Sequence, residues 1–176
     1  MEYIIMQKVN KKLLLLCCLI FTLIFVISCS GNKKALRVGD TLPTFKATDL
    51  DGKLFSLDSH KGNPAVVRFF LLDCPYCKAD TPVFNKFYAD YSKTGLAMVY
   101  INNNGSTRHA VENFIEELGV KFPVVYDPSG NLAKQYNIKV QPLTLVLSPD
   151  HKLLAALLGG VSEAELQELL GKYLQD

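Results

Sequence analysis

Residues 65–72 of this chain, Ala-Val-Val-Arg-Phe-Phe-Leu-Leu, form a nearly unbroken apolar run, and Cys74-Pro75-Tyr76-Cys77 follows at once. Such a run suits a central strand buried on both faces. Beyond it, Val83, Phe84, Phe87, Tyr88 and Tyr91 recur at helical spacing, so residues 77–91 are expected to form a helix. The two cysteines therefore fall at a strand-to-helix junction, a context for redox chemistry. A helix N-terminus carries partial positive charge. It favours a thiolate at Cys74 and makes that sulfur the attacking one. Cys77, one turn on, is near enough to close a disulfide with it. Pro75 suits the first helical turn, where no intrahelical N–H bond is lost.

A lone C-x-x-C is also compatible with half a zinc site or with two inert cysteines. Structural zinc takes four ligands. The chain offers only scattered histidines beside the pair, at His60, His109 and His151, so no metal site is expected.

The N-terminus narrows the choice. Lys8, Lys11 and Lys12 precede an uncharged apolar run over residues 13–28. The run is shorter than the ~20 residues of a spanning helix and fits the hydrophobic region of a signal peptide. It ends Val26-Ile27-Ser28-Cys29-Ser30, which resembles the lipobox of bacterial lipoproteins. The resemblance implies a signal peptide over residues 1–28, a diacylglycerol on the Cys29 sulfur, and a polar tether over residues 29–36. The alternative is an uncleaved anchor with an incidental cysteine. Either form holds residues 37–176 outside the cytoplasm, on the periplasmic side of the bacterial cell envelope. Ser30 after the cysteine is compatible with outer-membrane sorting.

Of the 5 cysteines, Cys17 and Cys18 would leave with the signal peptide and Cys29 would be lipidated. Cys74 and Cys77 remain, in a compartment that permits disulfides. A loop closed across three residues braces almost nothing, so a disulfide here is catalytic rather than structural. Removing Lys8, Lys11, Lys12 and Glu2 from the 19 basic and 17 acidic residues leaves 16 of each. With neither net charge nor a basic run, nucleic acid is not an expected partner.

The remaining pattern alternates. Residues 44–48 and 54–57 flank Asp51-Gly52, a hairpin signal. Strands are expected near 65–72, 96–101, 122–126, 143–147 and 152–158, with helices near 77–91, 107–118, 132–136 and from Ser162 onward. Ser162 and Glu165 have the spacing of a capping box. A hairpin followed by β-α-β-α-β-α-β-β-α implies an α/β fold, with a central mixed sheet and helices on both faces.

That order, with its motifs, resembles the thioredoxin fold. More narrowly it resembles the TlpA/ResA-like thiol-disulfide oxidoreductases of the AhpC/TSA-redoxin superfamily, over about residues 37–175. Four segments carry the likeness: Val38-Gly39-Asp40-Thr41-Leu42-Pro43-Thr44-Phe45; Asp51-Gly52-Lys53 with Ser56-Leu57; Cys74-Pro75-Tyr76-Cys77-Lys78-Ala79-Asp80-Thr81-Pro82; and Tyr136-Asn137-Ile138-Lys139-Val140-Gln141-Pro142-Leu143-Thr144. The resemblance implies a thioredoxin-like three-layer domain with an N-terminal β-hairpin extension. It also implies a cis peptide before Pro142, facing the disulfide and presenting the Gln141 backbone to an extended substrate segment. Asp80 stands where an acidic residue is usual, placed to tune Cys77 or relay its proton.

The chain departs from relatives at two positions. Asp73 replaces the Trp that often precedes the first cysteine, and Arg68 lies where thioredoxins bury an acid and relatives often carry Asn. Arg68 is expected to reach past its apolar neighbours to solvent. The Pro-Tyr pair resembles glutaredoxin active sites, whose potentials lie near −200 to −230 mV against about −270 mV for thioredoxin.

The expected function is reduction of exported protein disulfides, with Cys74 as nucleophile and Cys77 as resolving thiol. The redox group is the Cys74–Cys77 disulfide itself. No glutathione or nicotinamide site is visible and no cofactor is expected, so a membrane thiol donor would restore the dithiol. Two alternatives stay open. One is a thiol peroxidase of the peroxiredoxin type, with antioxidant activity, although Val67 and Leu71 occupy the positions of its proline and hydroxyl residue. The other is a non-enzymatic, metal-binding lipoprotein, although the cysteine spacing is one residue short of C-x-x-x-C.

Overall fold

The computed structural model describes residues 36–174. The expected signal peptide and Cys29, with nearly all of its tether, lie outside the described residues. The chain begins with a short hairpin, β1 (Lys46–Thr48) and β2 (Leu54–Ser56). Its turn uses Gly52 at φ 80°, a left-handed conformation that glycine adopts without steric cost. The Asp49 side chain accepts from the Lys53 amide at 2.8 Å and closes the same turn.

Then follow β3 (Ala65–Phe70), α1 (Pro75–Tyr91), β4 (Ala97–Asn102), α2 (Arg108–Glu117), β5 (Val124–Tyr126), α3 (Asn131–Gln135), β6 (Leu143–Leu147), β7 (Leu153–Leu158) and α4 (Glu163–Leu170). This is the expected order of elements. The expected caps are present as well. Thr107 accepts from the Ala110 amide at the start of α2, and Ser162 and Glu165 form a reciprocal capping box on α4.

The main sheet has the order β5-β4-β3-β6-β7. β3, β4 and β5 run parallel, and β6 is antiparallel to both β3 and β7. Right-handed crossovers fix which face each helix covers. The steps from β3 to β4 and from β4 to β5 go the same way across the sheet, so α1 and α2 share a face. The step from β5 to the antiparallel β6 returns past β3, and Leu132 and Ala133 of α3 pack on the other face. The buried clusters follow this division. Phe84 and Phe87 of α1, Val111 and Phe114 of α2, and Leu166 and Leu170 of α4 pack with Val66, Phe70, Met98 and Tyr100. On the opposite face, Phe45, Phe55, Leu57 and Tyr136 pack with Val67, Phe69, Val99 and Leu145.

The strand order reverses direction beside β3, between β4 and β6. In open α/β sheets a crevice forms at such a switch point, beyond the carboxyl ends of the strands. The cysteine pair follows β3 at that end. Every residue of β3 is buried, and at roughly 1.5–3 kcal/mol per buried large apolar side chain it anchors the sheet. Among the described residues no helix is long and apolar enough to cross a membrane.

Candidate active site

α1 begins where β3 ends. Cys74 is its N-cap, extended at φ −85° and ψ 119°, and Pro75 takes the first helical position. The Cys74 carbonyl accepts from the Lys78 amide at 3.2 Å. Cys74 is 9% exposed and Cys77 fully buried, and both are free thiols. This asymmetry separates their chemistry. One residue keeps a small exposed area at a helix N-terminus, and the other is wholly buried, one turn along. Asp73 is exposed, where solvent and salt screen its charge. Tyr76 is exposed as well, and its ring lies over Gly160, where an added Cβ would come 3.2 Å from the ring edge.

Arg68 contradicts the expectation of a solvent-seeking cation: it is completely buried. Alternation along β3 turns it to the α1 face, and partners already in place hold it there. Its Nη1 donates to Thr144 Oγ1 at 2.6 Å, and its Nη2 donates to Asp80 Oδ2 at 2.8 Å and to the Gly159 carbonyl at 3.4 Å. The same Nη2 lies 3.9 Å from Cys77 Sγ. The guanidinium also sits over the Phe84 ring, 4.9 Å from its centroid. Burying a cation costs several kcal/mol unless it is paired and hydrogen-bonded, and this set of partners meets that condition.

Asp80 is the other half of the pair. It is buried rather than solvated, and its Oδ2 also accepts from the Val161 amide at 3.0 Å. Burial raises its pKa above the usual carboxylate value, opposed by Arg68 and by that amide. Burial likewise pushes the Cys77 thiol up to about 11; a Leu71 backbone hydrogen bond and the Arg68 charge offset this only in part. Arg68 Nε and Asp80 Oδ1 have no hydrogen-bond partner among the described residues.

The Gln141–Pro142 peptide is cis. It immediately precedes β6, whose first residue pairs with Phe69 near the end of β3. The Pro142 carbonyl accepts from the Gly159 amide at 3.0 Å. The Gln141 side chain is held by Asn103, its Nε2 donating to Asn103 Oδ1 at 2.9 Å. Thus Cys74, Cys77, Asp80 and the Pro142 segment gather at one end of the sheet. Sequence reasoning missed Thr144, Asn103, Gly159 and Val161, which partner these groups from distant elements. One signal was available for Arg68: it is the single charge in its strand, and Asp80 lies one helical turn from Cys77 on the same face. Among the described residues no group of three or more His, Cys, Asp or Glu side chains is set to hold a metal ion.

Comparison with known proteins agrees with this geometry. Residues 38–156 match the AhpC/TSA family. The chain is 28% identical over 142 residues to the thiol-disulfide oxidoreductase ResA of Bacillus cereus, covering 81% of this chain and 82% of that one. A thiol:disulfide interchange protein of the thioredoxin family from Chlorobium tepidum superposes with TM-score 0.71 at 24% identity, covering 81% of this chain and all of that one. A secreted Mycobacterium tuberculosis disulfide oxidoreductase, homologous to Escherichia coli DsbE, superposes with TM-score 0.64 at 25% identity, over 73% of this chain and 95% of that one. The fold is thioredoxin-like, and the chain belongs to the AhpC/TSA family.

Proposed function

We propose that this protein is a lipid-anchored reductase of protein disulfides in the bacterial cell envelope. The chain is an enzyme, a thiol-disulfide oxidoreductase, as its relatives and its paired free thiols indicate. Its direction, site roles and location are our reading. The observation that carries the mechanism is the pairing of Cys74, at the N-cap of α1 and 9% exposed, with a fully buried Cys77 one turn on.

The Cys74 thiolate attacks one sulfur of a substrate disulfide. A Cys74–substrate bond forms, and the displaced sulfur leaves as a thiolate and takes up a proton. Cys77 then loses its proton and attacks Cys74 Sγ, closing the Cys74–Cys77 disulfide and releasing the second substrate sulfur. Two electrons pass to the substrate. Pro142 and the Gln141 backbone, at the same end of the sheet as the cysteine pair, present a pairing edge to an extended segment. Asp80 tunes Cys77. The disulfide is the redox group and no further cofactor takes part. A membrane thiol donor then reduces the pair again.

The lipobox-like 26–30 segment supports anchoring through Cys29, with residues 1–28 as signal peptide and 29–36 as tether to the catalytic domain. The secreted relative described above is consistent with export. The test is substrate trapping. Cys77→Ala expressed in the native bacterium accumulates a mixed disulfide at Cys74, identified by mass spectrometry, in the membrane fraction. Retention of disulfide reductase activity by Cys74→Ser overturns the mechanism.

A further inference from the structure

A buried guanidinium aimed at the resolving sulfur is more than the thiol mechanism needs for its first step. Cys74, at the N-cap of α1, carries that step, whereas Arg68 Nη2 lies 3.9 Å from Cys77 Sγ. Three other acceptors fix the orientation of the guanidinium: Thr144 Oγ1, Asp80 Oδ2 and the Gly159 carbonyl. They come from β6, from α1 and from the end of β7. Arg68 therefore cannot follow a moving sulfur, and the sulfur must form its charge where the cation already is. The two N–H groups of Nη2 are shared among Asp80, the Gly159 carbonyl and Cys77, so the cation acts on the sulfur chiefly through its charge at 3.9 Å.

The groups facing Cys77 come from each element packed around it. β3 contributes Arg68 and β4 the Tyr100 hydroxyl. α1 contributes Cys74 and Asp80. The Tyr100 hydroxyl lies within hydrogen-bond distance of Thr81 Oγ1, and burial raises its pKa, so it stays neutral at working pH. Once Cys74 is tied up in a mixed disulfide, it carries no charge. The field at Cys77 is then set by Arg68 against Asp80. The cation is the nearer in function, because its Nη2 itself contacts the sulfur.

Resting on the oxidoreductase reading above, we infer that Arg68 is a positioning residue for the resolving step: its fixed guanidinium stabilises the thiolate that Cys77 must become before it attacks Cys74. The step balances without another reactant. The Cys77 proton goes to solvent, a Cys77–Cys74 bond forms, the Cys74–substrate bond breaks, and its electron pair leaves on the substrate sulfur.

The test uses the full-length protein, reduced and then converted with 5,5′-dithiobis(2-nitrobenzoate) to a thionitrobenzoate adduct at Cys74. Release of the coloured thiolate reports attack by Cys77 in a single turnover. In the wild type, the pH midpoint of release gives the ionisation of Cys77 in the mixed disulfide. The double variant Arg68→Gln/Asp80→Asn removes both charges together, keeping hydrogen-bonding side chains in place. Its midpoint is expected to rise by a fraction of the roughly one unit that a single unopposed charge supplies, and its release at pH 7 to slow severalfold. Arg68→Lys is expected to restore part of the loss. Asp80→Asn alone, which leaves the cation unopposed, is expected to lower the midpoint and speed release, and it carries the test should the double variant not fold. An unchanged midpoint in a folded double variant, or a raised one in Asp80→Asn, overturns the inference. Failure to form an adduct at Cys74, or release that does not need Cys77, overturns the oxidoreductase mechanism instead.

Discussion

Asp80 joins Arg68 to the Val161 backbone: one carboxylate oxygen accepts from Arg68 Nη2 at 2.8 Å and from the Val161 amide at 3.0 Å. β3, α1 and the segment leading into α4 thus meet at a single atom beneath the cysteine pair. Asp80→Leu would leave Arg68 buried without a counter-charge. Removing one partner of a buried pair costs about 3–5 kcal/mol. Urea unfolding of the variant is expected to show a loss of that size. Arg68→Met/Asp80→Leu is expected to recover much of it, since an apolar pair leaves no charge stranded.

The two thiols should differ sharply towards alkylating agents. Cys77 is fully buried, and its pKa is raised to about 11 by burial, whereas Cys74 keeps a small exposed area at the N-cap of α1. Reduced protein treated briefly with iodoacetamide at pH 7.5 is expected to carry one adduct, at Cys74. Peptide mass spectrometry checks this. Equal labelling of both sites would contradict the buried position of Cys77.

The raised Cys77 value also makes stability depend on pH. The folded thiol holds its proton more tightly than the unfolded one, whose value is about 9. Its contribution is fully present below pH 9 and is lost as pH rises from 9 towards 11. Two units correspond to about 2–3 kcal/mol. Denaturant midpoints of the reduced wild type should fall more steeply over that window than those of Cys77→Ser.

Far from the cysteines, Gly95 offers a stability test that leaves chemistry alone. It has φ 104°, and an added Cβ would meet the Asn63 side chain. Both the left-handed backbone and the crowding oppose a side chain, so Gly95→Ala is expected to cost about 1–3 kcal/mol. Disulfide reduction per folded molecule should not change.

The peroxidase alternative is open to direct measurement. Val67 and Leu71 occupy the positions where such enzymes place a proline and a hydroxyl residue. Turnover of hydrogen peroxide by the pure protein is expected to be negligible beside its reduction of a protein disulfide, measured with the same thiol donor.

Much of the architecture was legible because its causes are local. The Asp51-Gly52 turn, the Thr107 cap, the Ser162–Glu165 box and the period of each apolar stripe all act within a few residues. The order of elements then limited the topology. Arg68 was misread because its burial has no local cause. Its partners lie 12 residues on at Asp80 and 76 residues on at Thr144, and only the closed sheet brings them together. An arginine among apolar neighbours suggests a side chain that escapes to water. Here escape is unnecessary, because both terminal nitrogens of the guanidinium meet acceptors and its plane lies over an aromatic ring. Asn103 escaped notice for a similar reason: its loop gives no sign of Gln141 until β4 and β6 are placed on either side of β3.

The pairing of β6 against β3 sets Arg68 opposite Thr144 and Phe69 opposite Leu143. Successive residues of a strand point to opposite faces, so a slip of one residue would turn Thr144 away and carry residue 142 off the end of β3. The arginine clamp and the proline segment would fail together. Because β6 closes the sheet after more than seventy intervening residues, resolving chemistry at Cys77 should arise only once the whole domain has formed. A nascent or partly unfolded chain exposes two thiols without the assembled site that would direct their chemistry.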